Sequence, residues 1–103
     1  MKVACGIMYD NEGRILMGLR DSKGSNPNYW EFPGGKCEKG ETMDECLHRE
    51  WLEELNIHIE IEEYIHKSTL GFAECYFYIG KILSLDTMQI NVHEYIGFYD
   101  LED

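Results

Sequence analysis

The apolar residues in the first third of the chain are grouped in short runs that are typical of strands. Residues 3–9 are rich in β-forming and small residues, residues 10–13 form a polar turn that contains a glycine, and residues 14–20 are again apolar. Two such runs around a turn predict a β-hairpin. A polar loop over residues 21–29 follows. Residues 30–32 predict a short strand that ends at a Pro-Gly-Gly run.

The second half of the chain contains three further runs that predict strands. Residues 57–65, 69–82 and 90–99 are rich in Ile, Tyr and Phe, and residues 84–89 are expected to form a loop. Strands therefore dominate, and one strong helical signal lies among them. This order predicts an α+β fold in which one helix packs on a face of a mixed sheet. Residues 1–103 are expected to form a single domain, because the length leaves no room for two.

The helical signal lies in the middle of the chain. Thr42 is a good N-cap residue, and Glu45 follows it by three positions, as a capping box requires. Asp44 also lies in the first turn, where the helix dipole favours an acid. The helix is expected to span residues 43–55. Asn56 suits the position after it, because asparagine tolerates the left-handed backbone conformation.

Three acids lie on the face of this helix that begins as an apolar stripe. Glu50, Glu53 and Glu54 follow Cys46 and Leu47 on the same side of the helical wheel. Like charges at these spacings repel one another. One interpretation is a solvated acidic face. The other is an oxygen cage for a hard cation such as Mg²⁺ or Mn²⁺, and the continuity with the apolar stripe favours it.

Composition narrows the classes of partner. The chain has 9 Lys and Arg against 20 Asp and Glu, a formal net charge of −11, so it is not expected to bind nucleic acid through its own field. An anionic ligand would need a recruited cation. No apolar run approaches the ~20 residues that span a bilayer, so no membrane partner is expected. The four cysteines lack C-x-x-C spacing, which favours free thiols in a reducing cytoplasm over a zinc site.

Two features flank the acids. Gly34 and Gly35 form a loop with bare backbone, which can bring a carbonyl to a metal or allow a phosphate to approach. Arg49 precedes the first acid and lies at the edge of the same helical surface. It can bind one carboxylate through two hydrogen bonds and fix its orientation. A surface pairing of Arg49 with Glu45 or Glu53 is the alternative.

The spacing of these residues resembles a known family motif. From Gly35 onward the chain has the pattern G-x5-E-x7-R-E-W-x-E-E-x-N-I, which closely resembles the Nudix box, G-x5-E-x7-R-E-U-x-E-E-x-G-U, where U is a bulky apolar residue. The box covers residues 35–57. Two positions depart from it. Asn56 replaces a glycine, and this change is benign because asparagine tolerates the left-handed backbone conformation. Trp51 replaces a smaller aliphatic residue, and the larger volume of tryptophan leaves the local fit open.

The similarity extends over residues 3–57, which resemble the MutT-like branch of the family. This resemblance implies a Nudix-type mixed β-sheet with the helix of the box packed on it. MutT-like chains usually continue with a carboxy-terminal helix, whereas the sequence stops at Asp103, so a short form that lacks this helix is expected. Beyond residue 57 the similarity concerns only the pattern of strands.

The resemblance implies a hydrolase that acts on phosphoric anhydrides. For the MutT-like branch the reaction is Mg²⁺-dependent or Mn²⁺-dependent hydrolysis of an NTP or dNTP to the monophosphate and pyrophosphate, and damaged nucleotides are one class of substrate. The implied partner is a small-molecule nucleotide. Two alternatives stay open: a Nudix hydrolase of another nucleoside diphosphate derivative, such as ADP-ribose or a dinucleotide, and a catalytically silent nucleotide-binding module.

The resemblance also implies roles for single residues. The implied metal ligands are Glu50, Glu53 and Glu54, together with the carbonyl of Gly34. Either Glu50 or Glu53 takes the proton from the attacking water. Arg49 orients a carboxylate.

Further residues of the resemblance surround this group. Gly35 completes the glycine loop, and Glu41 supports the loop and the start of the helix. Arg20 and Lys36 are candidates for phosphate contact. In this family an additional acid from a late loop often joins the site. The nearest candidate and its two alternatives are Glu94, Asn91 and Glu74.

The remaining histidines and aromatic residues carry weaker signals. The histidines show no ligand spacing and are expected at surface or strand positions: His48, His58, His66 and His93. The aromatic run at residues 76–78 can stack a base or pack in the core, because alternate strand residues face opposite sides.

The end of the chain is unusually apolar. A group of four residues in the last strand predicts a homodimer whose interface includes that strand: Tyr95, Ile96, Phe98 and Tyr99. The alternative is that these residues pack inward against the helix.

Overall fold

The computed structural model describes residues 1–20 and 30–100, without the side chains of Arg20 and Glu94. The polar loop predicted at residues 21–29 lies outside the described residues. Within them the elements are β1 (Lys2–Tyr9), β2 (Ile15–Arg20), β3 (Trp30–Glu31), β4 (Gly34–Lys36), α1 (Met43–Leu55), β5 (Ile59–Leu70), β6 (Ala73–Ile82) and β7 (His93–Tyr99).

The strands form a mixed sheet in two parts that meet at the first hairpin. In the first part, β1 lies between β4 and β6, antiparallel to β4 and parallel to β6, and β5 flanks β6. In the second part, β2 pairs antiparallel with both β3 and β7. The register of β1 and β2 joins the two parts through Tyr9 and Ile15. A mixed sheet with one helix confirms the predicted α+β fold.

Helix α1 begins and ends where the local sequence predicts. Thr42 Oγ1 accepts a hydrogen bond from the Glu45 N–H at 3.1 Å, and Glu45 Oε1 accepts one from the Thr42 N–H at 2.9 Å, which completes the capping box. Asn56 adopts the left-handed conformation with φ of 53°. No helix in the described part of the chain is long and apolar enough to cross a membrane. The local signals are therefore sufficient to set both ends of α1.

The hydrophobic core lies between α1 and the strands. Alternate residues of β1, including Ala4 and Met8, are buried on the side that faces the helix. The helix contributes Leu47, Trp51 and Leu55, none of which has exposed surface. This packing fixes the rotation of α1 about its axis, and with it the directions of the acids on the last two turns.

Trp51 fits the core because the opposite strand leaves space for it. Its indole N–H donates to the carbonyl oxygen of Pro33 at 2.9 Å. A Cβ atom at Gly6 of β1 would lie 2.6 Å from the indole nitrogen, so no other residue fits there without a shift. The larger side chain at this position of the box is therefore accommodated by a glycine on β1 and anchored to the glycine-loop backbone.

The turn of the second hairpin lies further along the chain than the sequence predicts. The pattern places a break between residues 65 and 69, whereas β5 continues to Leu70 and β6 begins at Ala73. These two residues pair across a two-residue turn that starts at Gly71, whose φ is 62°. The prediction was wrong because the polar residues 66–68 lie on an exposed edge strand, where polar side chains are compatible with strand structure.

Residues 90–92 are not part of the last strand, which begins at His93. The segment before it caps the carboxy-terminal end of α1 instead. The Gln89 and Asn91 N–H groups donate to the carbonyl oxygens of Leu55 and Glu54 at 2.8 and 3.0 Å. These bonds satisfy carbonyls that the helix itself leaves without donors. The predicted strand over 90–99 was therefore too long by three residues.

Candidate active site

The predicted acids lie on one stripe of α1 that passes from exposed to buried. The side chain of Glu53 is 59% exposed, that of Glu50 is 15% exposed, and that of Glu54 is 6% exposed. Two of the three acids are thus largely enclosed, which is unusual for ionisable groups. A purely solvated acidic face does not describe this arrangement.

Arg49 joins the stripe to the glycine loop through one guanidinium group. Nε and Nη2 donate to the two carboxylate oxygens of Glu41 at 2.6 and 2.9 Å. Nη1 donates to Glu50 at 2.9 Å and to Glu53 at 3.1 Å. Nη2 also donates to the backbone oxygen of Lys36 at 3.0 Å. The paired hydrogen bonds that the sequence predicts between Arg49 and one carboxylate are therefore made to Glu41. Glu50 and Glu53 each accept a single hydrogen bond from Arg49.

Glu41 is held in its ionised form by these contacts. The hydrogen bonds from Arg49, followed by the bond from the backbone N–H of Glu38 at 2.8 Å, lower the pKa of Glu41 to about 2. The same pairing, with smaller contributions from Glu50, raises the pKa of Arg49. Glu41 thus ties together the turn before the helix and the guanidinium group that lies over the helix.

The glycine loop requires bare backbone at both of its central positions. These residues were expected to form a loop, but Gly34–Lys36 is the strand β4, which pairs with β1 and places Gly34 opposite Cys5; we keep the name glycine loop for residues 33–35. A Cβ at Gly34 would overlap the carbonyl oxygen of Ala4, and a Cβ at Gly35 would overlap the carboxylate of Glu50. The Glu50 carboxylate therefore lies directly against the loop, in space that any other residue at position 35 would fill.

The oxygen ligands that these acids offer suit a hard divalent cation, because Mg²⁺ and Mn²⁺ prefer carboxylate and carbonyl oxygens. The bare Gly35 admits the Glu50 carboxylate itself against the backbone. As the side chains stand, no three acidic, histidine or cysteine groups of the described residues are placed to hold one metal ion. Glu50 and Glu53 are hydrogen-bonded to Arg49. A cation has to compete with Arg49 for these oxygens.

A buried histidine lies on the inner side of the acid stripe. His93 has no exposed side-chain surface, and its Nε2 lies 3.2 Å from Glu31 Oε1 and 3.9 Å from Glu54 Oε1. We call Glu31 and Glu54 the inner acids. The sequence did not mark His93 as a site residue, since it shows no ligand spacing. The available signal is Gly18 within the predicted strand, because an interior glycine often marks a close approach.

The other three histidines differ from His93 in burial. His48, His58 and His66 are exposed, as the sequence predicts. His93 does occupy a strand position, but it lies in the interior and next to an acid of the box.

The aromatic run on β6 divides between the two faces of the sheet. Tyr76 and Tyr78 lie on one face with Tyr64, whose ring centroid is 6.2 and 5.4 Å from theirs. Phe77 lies on the other face and meets Phe32 edge-on, with ring centroids 6.3 Å apart. The run therefore presents Tyr76 and Tyr78 on one face of the sheet and Phe77 on the other.

Phe77 lies next to Cys5, whose pKa is affected by the inner acids. Phe77 lies beside Cys5 in the parallel register of β1 and β6. Burial, followed by the proximity of Cys75, Glu31 and Glu54, raises the pKa of Cys5 to about 12. Cys5, next to Phe77, therefore lies within electrostatic range of both inner acids.

The residues predicted to contact phosphate or to supply an additional acid are not gathered in one place among the described residues. Lys36 is exposed, and its backbone oxygen is bound to Arg49. The Asn91 side chain donates to the backbone oxygen of Glu53 at 2.9 Å, so it supports the helix end. Glu74 forms an ion pair with a lysine of β5 at 2.9 Å, away from the acid stripe. The predictions for the side chains of Arg20 and Glu94 lie outside the described residues.

Comparison with known proteins places this fold and motif in one family. Residues 1–95 match the NUDIX domain, so the chain belongs to the Nudix family, and the resemblance of its box is confirmed. The chain is 36% identical over 59 residues to an 8-oxo-dGTP diphosphatase of Proteus vulgaris, a match that covers 57% of this chain and 53% of that protein. It is 38% identical over 56 residues to a CTP pyrophosphohydrolase of Escherichia coli (strain K12), covering 54% and 42%.

A solved structure agrees with the fold. The crystal structure of a NUDIX hydrolase from Nitrosomonas europaea superposes with a TM-score of 0.84 at 23% identity, covering 98% of this chain and 57% of that chain. At this identity the similarity shows the fold alone. The matches span about half the length of the curated relatives, 53% and 42%.

Proposed function

We propose that the chain carries the active site of a divalent-cation-dependent pyrophosphohydrolase that converts a nucleoside triphosphate to the monophosphate and pyrophosphate. The observation that carries this proposal is the acid stripe, in which Arg49 binds Glu50 and Glu53 beside the bare Gly35. Relatives named as an 8-oxo-dGTP diphosphatase and a CTP pyrophosphohydrolase support the choice of a nucleoside triphosphate.

A cation is needed because the protein and its substrate are both anionic. The chain has a formal net charge of −11, and a triphosphate approaching three carboxylates is repelled. Glu50, Glu53, Glu54 and the Gly34 carbonyl would hold Mg²⁺ or Mn²⁺. When bound, the cation supplies charge neutralisation at the phosphates and a lowered pKa for a ligated water.

The residues of the chain then position the reactants. Arg49 fixes Glu50 and Glu53 relative to the glycine loop through one rigid guanidinium group. Either Glu50 or Glu53 accepts the proton of the attacking water. Because attack at phosphorus needs alignment more than covalent chemistry, the packing of Glu50 against Gly35 is an advantage.

The nucleoside is placed on the face of the sheet that carries Phe77 and Phe32. Cys5, beside Phe77 in the register, is within electrostatic range of Glu31 and Glu54, so a base stacked there would keep the phosphates near the end of α1. Lys36 and Arg20 are proposed to contact phosphate oxygens, and Glu94 is the proposed additional acid. Damaged nucleotides are included among the substrates because one relative is named for 8-oxo-dGTP.

We place this activity in the cytoplasm. All four cysteines are free thiols. Cys5 and Cys75 are in side-chain contact on adjacent strands without a disulfide, which is expected in a reducing compartment.

The test is a substrate panel with Mg²⁺ in which pyrophosphate and orthophosphate are measured separately. The panel contains CTP, dGTP, 8-oxo-dGTP, ADP-ribose and a dinucleotide. Pyrophosphate from a triphosphate is expected. Glu53→Gln and Glu54→Gln are expected to lower kcat by at least about 100-fold, because each removes a charged ligand. Glu63→Gln, on the exposed part of β5, is the matched control and keeps the parent rate.

Two results would contradict this function. Turnover restricted to ADP-ribose or a dinucleotide would favour a different Nudix hydrolase. Binding of nucleotides without turnover of any of them would favour a silent binding module.

A further inference from the structure

The ring of His93 is enclosed where β7 begins beside β2. Its side chain has no exposed surface. The ring lies against Gly18 of β2, and a Cβ at Gly18 would overlap the ring atoms. Because β2 has no side chain at this point, the two strands hold the imidazole in a fixed place.

The two ring nitrogens have different surroundings. Nε2 faces the inner acids, 3.2 Å from Glu31 Oε1 and 3.9 Å from Glu54 Oε1. Nδ1 is buried and has no hydrogen-bond partner among the described residues. A carboxylate oxygen accepts hydrogen bonds, so the contact with Glu31 is assigned as one in which Nε2–H donates. The ring therefore directs one N–H donor toward the pair of inner acids.

The segment that carries His93 also holds the backbone of the acid stripe. The Asn91 N–H donates to the Glu54 carbonyl at 3.0 Å, and the Asn91 side chain donates to the Glu53 carbonyl at 2.9 Å. Two residues later, the His93 ring lies with Nε2 3.9 Å from Glu54 Oε1. One short segment thus contacts Glu54 at both its backbone and its side chain.

We propose that His93 is a positioning residue: its Nε2–H donates to Glu31, and its ring, 3.9 Å from Glu54 Oε1, restricts the Glu54 carboxylate to the orientation that ligates a divalent cation. This inference rests on the proposed function, in which Glu54 is a metal ligand. A glutamate has several rotatable bonds, and its affinity for a cation depends on groups that restrict them. His93 itself ligates nothing in this account.

The experiment measures the dissociation constant of Mn²⁺ without nucleotide, by electron paramagnetic resonance of the free ion. His93→Leu removes the donor and is expected to weaken Mn²⁺ binding by about 10-fold or more. His93→Gln carries an amide N–H at nearly the distance of Nε2, and it should bind Mn²⁺ within about 3-fold of the parent. His58→Leu, an exposed histidine outside the site, is the matched control and should change nothing.

Each outcome decides between the alternatives. Equal Mn²⁺ binding by His93→Leu and the parent overturns the positioning role, and so does an equal loss in His93→Gln and His93→Leu. If the parent binds no Mn²⁺, the proposed metal site fails and this inference fails with it. A purely structural role would lower the melting temperature of His93→Leu while leaving the affinity of the folded protein for Mn²⁺ unchanged.

A second pair of variants covers the case in which His93→Leu does not fold. His93→Asn and His93→Gln both bury an amide, but the amide of Asn is too short to reach the position of Nε2. The proposal predicts weaker Mn²⁺ binding for His93→Asn than for His93→Gln. Equal affinities would overturn it.

Discussion

At the scale of single residues, the site depends on one guanidinium group that is fully used. Arg49 donates to Glu41 twice, to Glu50, to Glu53 and to the Lys36 backbone. A lysine has a single ammonium group and cannot make this fork. The chain thereby keeps three carboxylates close together, although they repel one another.

The Glu41–Arg49 pair gives a pH-dependent contribution to stability. The folded-state pKa of Glu41 is about 2, below its ordinary value of 4.5, so the ionised form is the stabilised one. The contribution is complete above about pH 4.5 and is lost as the pH falls toward 2. Glu41→Gln should therefore lower the urea midpoint at pH 7, and the gap to the parent should narrow below pH 4.5. A gap that stays constant down to pH 3 would contradict this pairing.

At the scale of elements, the position of the acids depends on how α1 packs on β1. Trp51 enters the space above Gly6, and its N–H is bound to Pro33 at the start of the glycine loop. The helix rotation and the loop are thus set by the same side chain. This coupling explains how the box tolerates a residue larger than its usual aliphatic one.

The packing of Trp51 on Gly6 predicts a compensating pair of substitutions. Gly6→Ala places a Cβ against the indole ring and should destabilise the parent by about 1–3 kcal/mol through overpacking. In a Trp51→Leu background the same change should cost much less, because the indole is absent. Urea unfolding of the four proteins in the double-mutant cycle measures the coupling. Additive effects would show that the two residues do not share this space.

Elements set by neighbouring residues were predictable from the sequence, whereas those set by distant contacts were not. The capping box of Thr42 and the left-handed Asn56 define α1 locally, so both ends were predicted correctly. Residues 90–92 have strand-like composition, but their segment bonds to the end of α1, which no local pattern indicates. The hairpin turn at Gly71 was misplaced for a related reason, since pairing with β6 keeps polar residues within β5.

The residues of the candidate site also divide into those that the local sequence predicts and one that depends on a distant contact. The box supplied Arg49, Glu50, Glu53 and Glu54 by spacing alone, because one helix presents them all. His93 comes from a strand far along the chain and is brought to Glu54 by the pairing of β7 with β2. A sequence pattern cannot show such a contact without the register of the sheet.

At the scale of the whole molecule, the last strand combines a core face with an exposed aromatic face. Ile96 and Phe98 pack against the core, which agrees with the alternative that the apolar residues of this strand face inward. Tyr95 is 61% exposed, and Tyr99 is 44% exposed and meets the partly exposed Trp30 with ring centroids 5.6 Å apart. The expected homodimer therefore has to use the tyrosines and Trp30 rather than Phe98.

The dimer is tested by sedimentation equilibrium at micromolar concentration. The parent is expected at about twice 12.1 kDa, because an exposed aromatic surface is commonly buried across a two-fold axis. Tyr95→Asp should give the monomer without unfolding it, whereas Tyr64→Asp, on the exposed part of β5, is the control and should stay dimeric. A parent that sediments at 12.1 kDa rejects the dimer.

The central claim is that the acid stripe of α1 uses a divalent cation to cleave a nucleoside triphosphate to a monophosphate and pyrophosphate. Phosphorus-31 NMR of CTP or 8-oxo-dGTP incubated with the protein and Mg²⁺ tests it most directly. Monophosphate and pyrophosphate resonances are expected to grow in equal amounts, and neither should grow when EDTA replaces Mg²⁺. Release of orthophosphate with a nucleoside diphosphate, or full turnover in EDTA, would contradict it.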